Sequence, residues 1–326
     1  GIAKREGEDI FKLMAGFVAT QILYVWVKTG ALQKLADKPY SAAMLSSVWG
    51  FDLERSEILC RAGEAIGLVI ERKGHYRLTR KGAVLIGLPG VTALIEHHKI
   101  LYQDLLNPVG FFKGVEETQL SKFWPYVFGG GMDLKSSEVE KYSDLMSESQ
   151  HLVAADTLAA VNIPSVCRFL DVGGGKGTFV SELKKIHPKV DAAVFDLPGS
   201  HSENSGHRCI IGSFKEDELP AGYDIISLVR ILYDHRDETI RDLLSKTYSA
   251  LDKGGRLIVS EPMLGADRPT LWGDVYFAMY TLAMSTGKTR SPDQVSGFIK
   301  DAGFSNVTIH KSARPFITTV IEAQKT

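Results

Sequence analysis

The sequence predicts an α/β protein in which a mostly parallel, seven-stranded sheet follows a helical N-terminal domain. After Pro164, short apolar runs alternate with amphipathic segments, and this alternation gives a parallel sheet with helices on both faces. The last two strands, Asn306 to Lys311 and Pro315 to Ala323, lie too close together for a crossover helix, so we expect them to be antiparallel. A glycine-rich run directly after the first strand places a ligand crevice at the carboxyl edge of the sheet.

The parallel part of the sheet is predicted to contain five strands separated by amphipathic helices. The helix with the clearest pattern runs from Asp237 to Leu251, and a turn at Lys253–Gly255 separates it from the fifth strand. The five strands are expected near 168–172, 191–195, 208–211, 224–229 and 256–260. With the two final strands they form a doubly wound core over 165–326.

The N-terminal part of the chain has the pattern of a helical domain. Residues Ile10 to Leu35 form one or two helices that are apolar on most faces, so they must be buried, either in a subunit interface or as ordinary core helices. From Tyr40 onward, two helices and a hairpin turning near Lys73–Gly74 follow in the order of a winged helix. A chain of 326 residues can hold two domains of about 100–200 residues each. We expect a winged-helix dimerisation domain over 1–98 and a ligand-binding domain, beginning with pocket-forming helices, over 99–326.

Composition restricts the partners and the compartment. A formal net charge of −1 and a pI near 6.8 give no basic surface for nucleic acid. Cys60, Cys167 and Cys209 have neither Cys-x-x-Cys nor zinc spacing, which indicates reduced thiols in a cytoplasmic protein. The most apolar segment, Met14 to Val27, is shorter than the roughly 18–20 residues of a membrane span. We therefore expect no transmembrane segment, and no signal peptide is evident.

The glycine-rich run is the strongest candidate site. The apolar residues Phe169 to Val172 predict a buried strand that leads into Asp171-x-Gly-x-Gly-x-Gly177 and then into a helix over Thr178–His187. Glycines let a strand turn sharply into a helix and let a ligand approach bare backbone. The amides at the helix start favour an anionic group. The next strand ends at Asp196, where a carboxylate can hydrogen-bond a ribose.

The spacing of the glycines distinguishes among possible ligands. A dinucleotide fingerprint would place its third glycine at Thr178, and Lys176 does not complete a Walker motif. An acid two residues before Gly-x-Gly-x-Gly instead resembles the first motif of the class I S-adenosylmethionine (SAM) methyltransferases. SAM carries no phosphates, so its loop needs no phosphate-binding lysine. The alternative is a glycine-rich turn that binds no ligand.

Further motifs extend this resemblance over nearly the whole chain. Five segments follow in the order and spacing of the plant caffeate-type O-methyltransferases and their bacterial relatives: 171–175, 195–198, 227–237, 254–262 and 303–304. A second set is most similar to the bacterial hydroxyneurosporene (demethylspheroidene) methyltransferases: 96–98, 124–126, 232–235, 273–277 and 282–284. The resemblance implies a class I Rossmann-like core, a homodimer formed through the N-terminal helices, SAM as cofactor and no metal.

The resemblance also implies which residues bind SAM. Gly173, Gly175 and Asp171 would line the methionine and sugar, and Asp196 would take the ribose hydroxyls. Ser213 stands where the family usually has an acid beside the adenine, so that contact is missing here. The complete implied set is Asp171, Gly173, Gly175, Asp196, Leu197, Ser213, Phe214, Arg230 and Ser149.

The catalytic position departs from the family. Tyr233 stands where the better-known members carry a histidine, Glu261 fills the first glutamate position, and Thr289 replaces the second glutamate. Tyrosine is a poor base unless its pKa is strongly shifted. Three interpretations remain open. Tyr233 positions the acceptor by hydrogen bonding, His235 is the base, or a histidine of the helical region, His97 or His98, reaches the site as the base. Adjacent histidines cannot share a helix face, so we expect no metal site there.

The acceptor is expected to be a hydrophobic, hydroxylated small molecule, carotenoid-like or aromatic, methylated on oxygen without a metal. Aromatic and polar residues of the helical region and of the later motifs would form its pocket. The predicted substrate-binding set is His97, Tyr102, Trp124, Met146, Tyr233 and Asp274. The alternatives are C- or N-methylation of a related ring, a SAM-binding protein without catalysis, and a winged-helix DNA-binding regulator. For each single aromatic residue, plain core packing is the competing interpretation.

Overall fold

A computed structural model describes residues 2–123, 136–198, 200 and 206–326. The chain divides into two compact units, Gly1–Lys99 and Ile100–Thr326. The elements of the first unit, the last of which crosses the boundary, are α1 (Ile2–Lys28), α2 (Ala31–Asp37), α3 (Ala42–Trp49), α4 (Leu53–Ala65), β1 (Val69–Arg72), β2 (His75–Leu78), α5 (Arg80–Gly87) and α6 (Pro89–Asp104).

The second unit contains the sheet. Its elements are α7 (Pro108–Lys113), α8 (Gln119–Phe123), α9 (Ser136–Ala160), β3 (Arg168–Val172), α10 (Thr178–Ile186), β4 (Asp191–Asp196), β5 (Arg208–Ile211), β6 (Tyr223–Val229), α11 (Asp237–Ala250), β7 (Leu251–Glu261), α12 (Ala278–Met284), α13 (Pro292–Asp301), β8 (Ser305–His310) and β9 (Thr319–Gln324). A 3₁₀ turn at Leu232–Asp234 follows β6, and a π-helix at Leu271–Phe277 precedes α12.

Local capping explains the short helices of the N-terminal unit. The side chains of Ser41, Asp52 and Thr79 each accept a backbone amide hydrogen bond at the start of α3, α4 and α5. The hairpin β1–β2 is antiparallel and turns at Lys73 and Gly74, both with positive φ, as the sequence predicted. Helices and hairpin therefore appear in the winged-helix order.

The segment 10–18 in the middle of α1 is mostly apolar and largely exposed. Among the described residues, the segment Arg5–Lys28 is long and apolar enough to cross a membrane, judged by length and composition alone. Only 11% of its most apolar 18-residue stretch is buried. The apolar stretch is thus longer than the predicted Met14 to Val27. Its largest exposed side chains are Ile10, Phe11, Leu13, Met14 and Phe17. Such a surface normally has a partner in the working protein.

The sheet has the strand order β5-β4-β3-β6-β7-β9-β8. The strands from β5 to β7 are parallel, and β9 is antiparallel to both β7 and β8, which confirms the predicted fold class. Two strand boundaries differ from the prediction by more than one residue. β7 begins at Leu251 and passes through the expected turn with a bulge opposite β6. β9 begins at Thr319 because Arg314 instead forms a turn and pairs with Asp156 of α9, at 2.6 and 3.0 Å.

Alternation along the strands fills a core on each face of the sheet. Leu170 and Val172 pack on one face with α11 and α13, whereas Phe169 packs on the other with α9 and α10. Side chains on both faces of the central strands are thus buried, as expected for parallel strands covered by helices. The carboxyl ends of β3, β4 and β6 lie side by side, and the candidate site is built there.

Candidate active site

The segment Gly173–Gly177, which we call the cofactor loop, turns the chain sharply from β3 into α10. Gly173, Gly175 and Gly177 have φ of 71°, 53° and 78°, values that favour glycine. A Cβ at Gly173 would lie 2.3 Å from Ile231 Cδ1, and one at Gly174 would lie 2.4 Å from Asp171 Oδ2. A Cβ at Gly175 would meet nothing within 4 Å. The loop therefore leaves bare backbone at Gly175 for a ligand to approach.

Asp196, at the end of β4, is tied to the same loop. Its Oδ2 accepts the Gly175 amide at 2.7 Å, and its Oδ1 accepts the Leu197 amide at 2.6 Å. The carboxylate is half-buried, and the Leu197 side chain is 36% exposed. Three predicted cofactor-binding residues thus meet at one point, and the acid predicted to bind a ribose also fixes the loop.

Asp171 lies beneath the cofactor loop. β3 and β6 pair Asp171 with Ser227, and the Ser227 hydroxyl donates to Asp171 Oδ1 at 2.6 Å. Asp171 Oδ2 is buried and has no hydrogen-bond partner among the described residues. Burial raises the pKa of Asp171 to about 7, the Ser227 hydrogen bond opposes this, and Asp196 adds to it. A buried carboxylate oxygen of this kind fits a cationic group of a ligand.

Ser213 and Phe214 follow β5 on the neighbouring side of the crevice. The Ser213 amide donates to Asp217 Oδ2 at 2.8 Å, so an acid lies beside the position where the resemblance finds none. The Phe214 ring meets the His235 ring edge to face, with centroids 5.3 Å apart. Nothing in the sequence indicated Asp217, because a carboxylate four residues further along a loop carries no local pattern.

Arg230 ends β6 in a strained conformation, with φ of 59° in a non-glycine residue. Its Nη1 donates to Ser149 Oγ of α9 at 2.7 Å, and its guanidinium also hydrogen-bonds the Tyr233 side chain. The structure thus joins the predicted residues Arg230, Ser149 and Tyr233. The side chain of Met146 on α9 and the whole of Trp124 lie outside the described residues.

The segment Ile231–His235, which we call the acceptor loop, is held from below by Glu261 at the end of β7. Glu261 Oε2 accepts the amides of Leu232 and Tyr233 at 2.9 and 3.3 Å, while Oε1 is buried without a partner among the described residues. Burial raises the pKa of Glu261 to about 8, against the opposing charge of Arg290. Glu261 therefore fixes the backbone of the loop, not the side chain of the residue at the histidine position.

Tyr233 and His235 are both poor bases in this setting. Tyr233 is 4% exposed, and burial raises the pKa of its hydroxyl well above the ordinary value, with Asp234 adding to the shift. Burial lowers the pKa of His235 to about 3, helped by Lys215 and Arg290. At neutral pH Tyr233 keeps its proton, and His235 is a neutral ring packed against Phe214.

The other predicted residues have mainly local contacts. Asp274 Oδ2 accepts the amides of Gly265 and Thr270 at 2.9 and 2.7 Å, so its carboxylate organises its own turn. Although partial burial opposes it, these amides lower the pKa of Asp274. Thr289, at the second glutamate position, is buried and hydrogen-bonds the Thr281 hydroxyl at 3.0 Å. It offers no carboxylate to the site.

The half-buried residues of α6 stay predictions for substrate binding. His97 and His98 belong to the N-terminal unit, and burial lowers the pKa of each to about 4. Tyr102 belongs to the second unit. Among the described residues, no group of three or more metal-ligating side chains lies close enough to hold a metal ion.

Sequence reasoning missed Arg290, which is 1% exposed. Its Nη1 donates to the Leu232 carbonyl at 3.1 Å, and its Nη2 donates to the His235 carbonyl at 2.8 Å. Both Nε and Nη2 also bind Asp237 Oδ1, at 3.0 and 2.6 Å. Arg290 thus fixes the acceptor loop from outside, while Glu261 fixes it from inside. No local pattern could have revealed an arginine that acts over more than fifty residues.

A glycine loop, strand-end acids and a doubly wound sheet define a cofactor-binding α/β domain, and comparisons with known proteins identify its family. Residues 102–305 match the model of a family described as an O-methyltransferase domain. Demethylspheroidene O-methyltransferase of Rhodobacter capsulatus is 42% identical over 99% of this chain and 84% of the relative. The enzyme of that name from Cereibacter sphaeroides is 40% identical over 99% of this chain and 88% of the relative. The chain belongs to the O-methyltransferase family.

Solved structures agree on the fold. Human N-acetylserotonin methyltransferase, crystallised in complex with SAM, is 22% identical and has a TM-score of 0.77, with 98% of this chain and 97% of that chain covered. The pyocyanin biosynthetic protein PhzM is 19% identical and has a TM-score of 0.81, with both chains covered completely. The similarity extends over both units of the chain.

Proposed function

We propose that this protein transfers a methyl group from SAM to a hydroxyl oxygen of a hydroxylated carotenoid, without a metal. The observation that carries the proposal is the identity of 42% and 40%, over 99% of the chain, with two demethylspheroidene O-methyltransferases. The cofactor loop and the acceptor loop lie within the matched family domain. Methylation of carbon or nitrogen has no comparable support.

The residues around the cofactor loop fit SAM. Asp171 Oδ2, buried and without a protein partner among the described residues, suits the ammonium of the methionine part. Asp196 suits the ribose hydroxyls, and the bare backbone at Gly175 allows close approach. Bound SAM supplies an electrophilic methyl group on a sulfonium. The protein must then hold the acceptor oxygen about 3–3.5 Å from the methyl carbon and in line with the sulfur.

Titration with S-adenosylhomocysteine tests the cofactor, and methyl transfer tests the reaction. We expect Asp196→Asn to weaken binding at least about tenfold, because hydrogen bonds to a charged group contribute about 1.5–3 kcal/mol. Asp191→Asn, at the exposed start of the same strand, is the matched control and should bind as the wild type does. Labelled SAM and demethylspheroidene should give an O-methylated product. Binding without transfer to any hydroxylated carotenoid or phenol would contradict the proposed function.

We also propose that the protein forms a homodimer through the exposed apolar side chains of α1. Phe11 and Leu13 are 61% and 80% exposed, which is unusual for a contiguous apolar surface on a monomer. Light scattering coupled to size exclusion should give the dimer mass for the wild type and the monomer mass for a Phe11→Glu/Leu13→Glu variant. Val84→Glu is the control, because Val84 is an exposed apolar residue of the same unit that lies on α5, outside α1. A double variant that stays dimeric would place the interface elsewhere.

A further inference from the structure

The carboxylate of Asp234 is a polar group of the acceptor loop to which the site described above assigns no role. Asp234 follows Tyr233 in the 3₁₀ turn and is half-buried. Its Oδ1 is shielded from solvent and has no hydrogen-bond partner among the described residues. A buried, unsatisfied carboxylate oxygen is costly unless a ligand or a proton completes it. Its position beside the tyrosine that replaces the family histidine points to the reaction.

The surroundings of Asp234 suit a group that exchanges a proton near neutral pH. Burial raises the pKa of Asp234 to about 7, and the positive charge of Arg230 opposes the rise. Two titratable groups interact electrostatically with Asp234. Tyr233 lies on the same turn, and Glu261 lies at the end of β7. The positive charge of Arg290 acts on Glu261 and opposes the rise of its pKa. A general base is most effective when its pKa lies near the working pH.

The neighbouring candidates are excluded by their own contacts. Tyr233 holds its proton, and its hydroxyl is already hydrogen-bonded by Arg230. Glu261 is 1% exposed, and one of its oxygens accepts hydrogen bonds from the loop amides. An acceptor could therefore reach Glu261 only by displacing the loop. His235 turns its ring to Phe214. Asp234 is half-buried, and its Oδ1 has no hydrogen-bond partner among the described residues.

We propose that Asp234 is the proton acceptor of the methyl transfer, a proposal that rests on the proposed function. As the bond between the acceptor oxygen and the methyl carbon forms, the bond from that carbon to sulfur breaks and its electron pair stays on sulfur. The hydroxyl proton passes to the Asp234 carboxylate and later leaves to solvent. Tyr233, fixed by Arg230, positions the acceptor oxygen and keeps its own proton. The acceptor loop lies against the cofactor loop, because Ile231 packs directly on Gly173.

Steady-state kinetics of Asp234→Asn, Asp234→Glu and the control Asp252→Asn, with S-adenosylhomocysteine titrations of each, test this assignment. Asp252 is exposed at the opposite end of the sheet. We expect kcat of Asp234→Asn to fall on the order of 10²-fold, while binding of S-adenosylhomocysteine and KM change by less than about threefold. The wild-type kcat should rise with pH through an apparent pKa near 7, since the base must be ionised. Asp234→Glu should keep a carboxylate-dependent pH rise, and Asp234→Asn should lose it.

Three results would overturn the assignment. They are a kcat of Asp234→Asn within about threefold of wild type, a wild-type kcat that does not change between about pH 6 and 8, or the same pH rise in Asp234→Asn. If Asp234→Asn does not fold, the pH profiles of wild type and Asp234→Glu decide. Absence of transfer by the wild type, despite normal cofactor-product binding, would overturn the proposed function itself. Transfer by wild type and Asp234→Asn alike would overturn only the role of Asp234.

Discussion

The cofactor loop and the acceptor loop lie in contact but are specified in opposite ways. The cofactor loop depends on backbone conformation, with three glycines at positive φ and two acids at or next to the ends of adjacent strands. The acceptor loop depends on buried polar side chains that come from distant parts of the chain, Glu261 from β7 and Arg290 from the segment before α13. A loop built from local geometry is specified by neighbouring residues of the sequence. A loop held by remote side chains can exchange its central residue, here Tyr233, while its backbone stays fixed.

The largest expected effect comes from removing the outer support of the acceptor loop. Arg290→Ala removes the donor from three backbone carbonyls, those of Leu232, His235 and Lys288, and from the Asp237 carboxylate. Losing the donor costs about 1–3 kcal/mol for each buried acceptor, so the buried carbonyls of Leu232 and His235 together give about 2–6 kcal/mol. We expect a fall of this size in the free energy of unfolding, measured by urea denaturation, together with a loss of kcat.

Arg241→Ala is the matched control for that change. Arg241 lies close by, but its side chain is 55% exposed and its pair with Asp301 is a surface ion pair. It should cost no more than about 1 kcal/mol. Equal effects of the two substitutions would show that the acceptor loop does not depend on Arg290, and the contrast between the loops would fail.

The second prediction compares two glycines of the cofactor loop. Both have positive φ, so alanine costs about 1–2 kcal/mol of backbone strain at either position. Only Gly173→Ala also pushes a Cβ into Ile231 of the acceptor loop, which adds about 1–3 kcal/mol of overpacking. Denaturation should therefore find Gly173→Ala less stable than Gly175→Ala.

The two glycine variants should also differ in how they affect function. Gly175→Ala fills the open space that a cofactor would approach, so it should weaken binding of S-adenosylhomocysteine, with a smaller loss of stability than Gly173→Ala causes. Gly173→Ala should impair both loops, since they share this contact. If both variants lose stability equally, the packing of Ile231 on Gly173 is not tight.

The sequence predicted the parts of the molecule that depend on local pattern. Asp171, the glycines and Asp196 could be placed because strand ends of a parallel sheet meet at one edge. Ser149 and Arg230 were predicted through the family resemblance, and the structure joins them. Arg290, Asp217 and the free oxygen of Asp234 could not be predicted, because their roles depend on contacts between distant segments or on burial. The later start of β9 has the same origin, a pair between Arg314 and α9.

Glu261→Gln gives the smallest and most specific effect, because it tests the charge state of the inner support. The pKa of Glu261 is raised to about 8 in the folded protein and is ordinary in the unfolded chain. Between about pH 4.5 and 8 the folded state therefore holds a proton that the unfolded state releases, so the free energy of unfolding falls as pH rises. The contribution of this one group is at most about 1.4 kcal/mol per pH unit.

Glutamine has the shape of the protonated carboxyl and does not titrate, so Glu261→Gln should remove this contribution. Denaturation at about pH 5, 6, 7 and 8 should show the stability of the variant rising relative to wild type as pH increases. Asp171 and Asp234 also make the free energy of unfolding fall with pH, but they do so in both proteins. Their contributions therefore cancel in the difference between the two curves, apart from the coupling of Asp234 to Glu261. Parallel curves for the two proteins would mean that Glu261 is ionised in the fold. The acceptor loop would then be held by a charged carboxylate, and its inner support would resemble Asp196 in the cofactor loop.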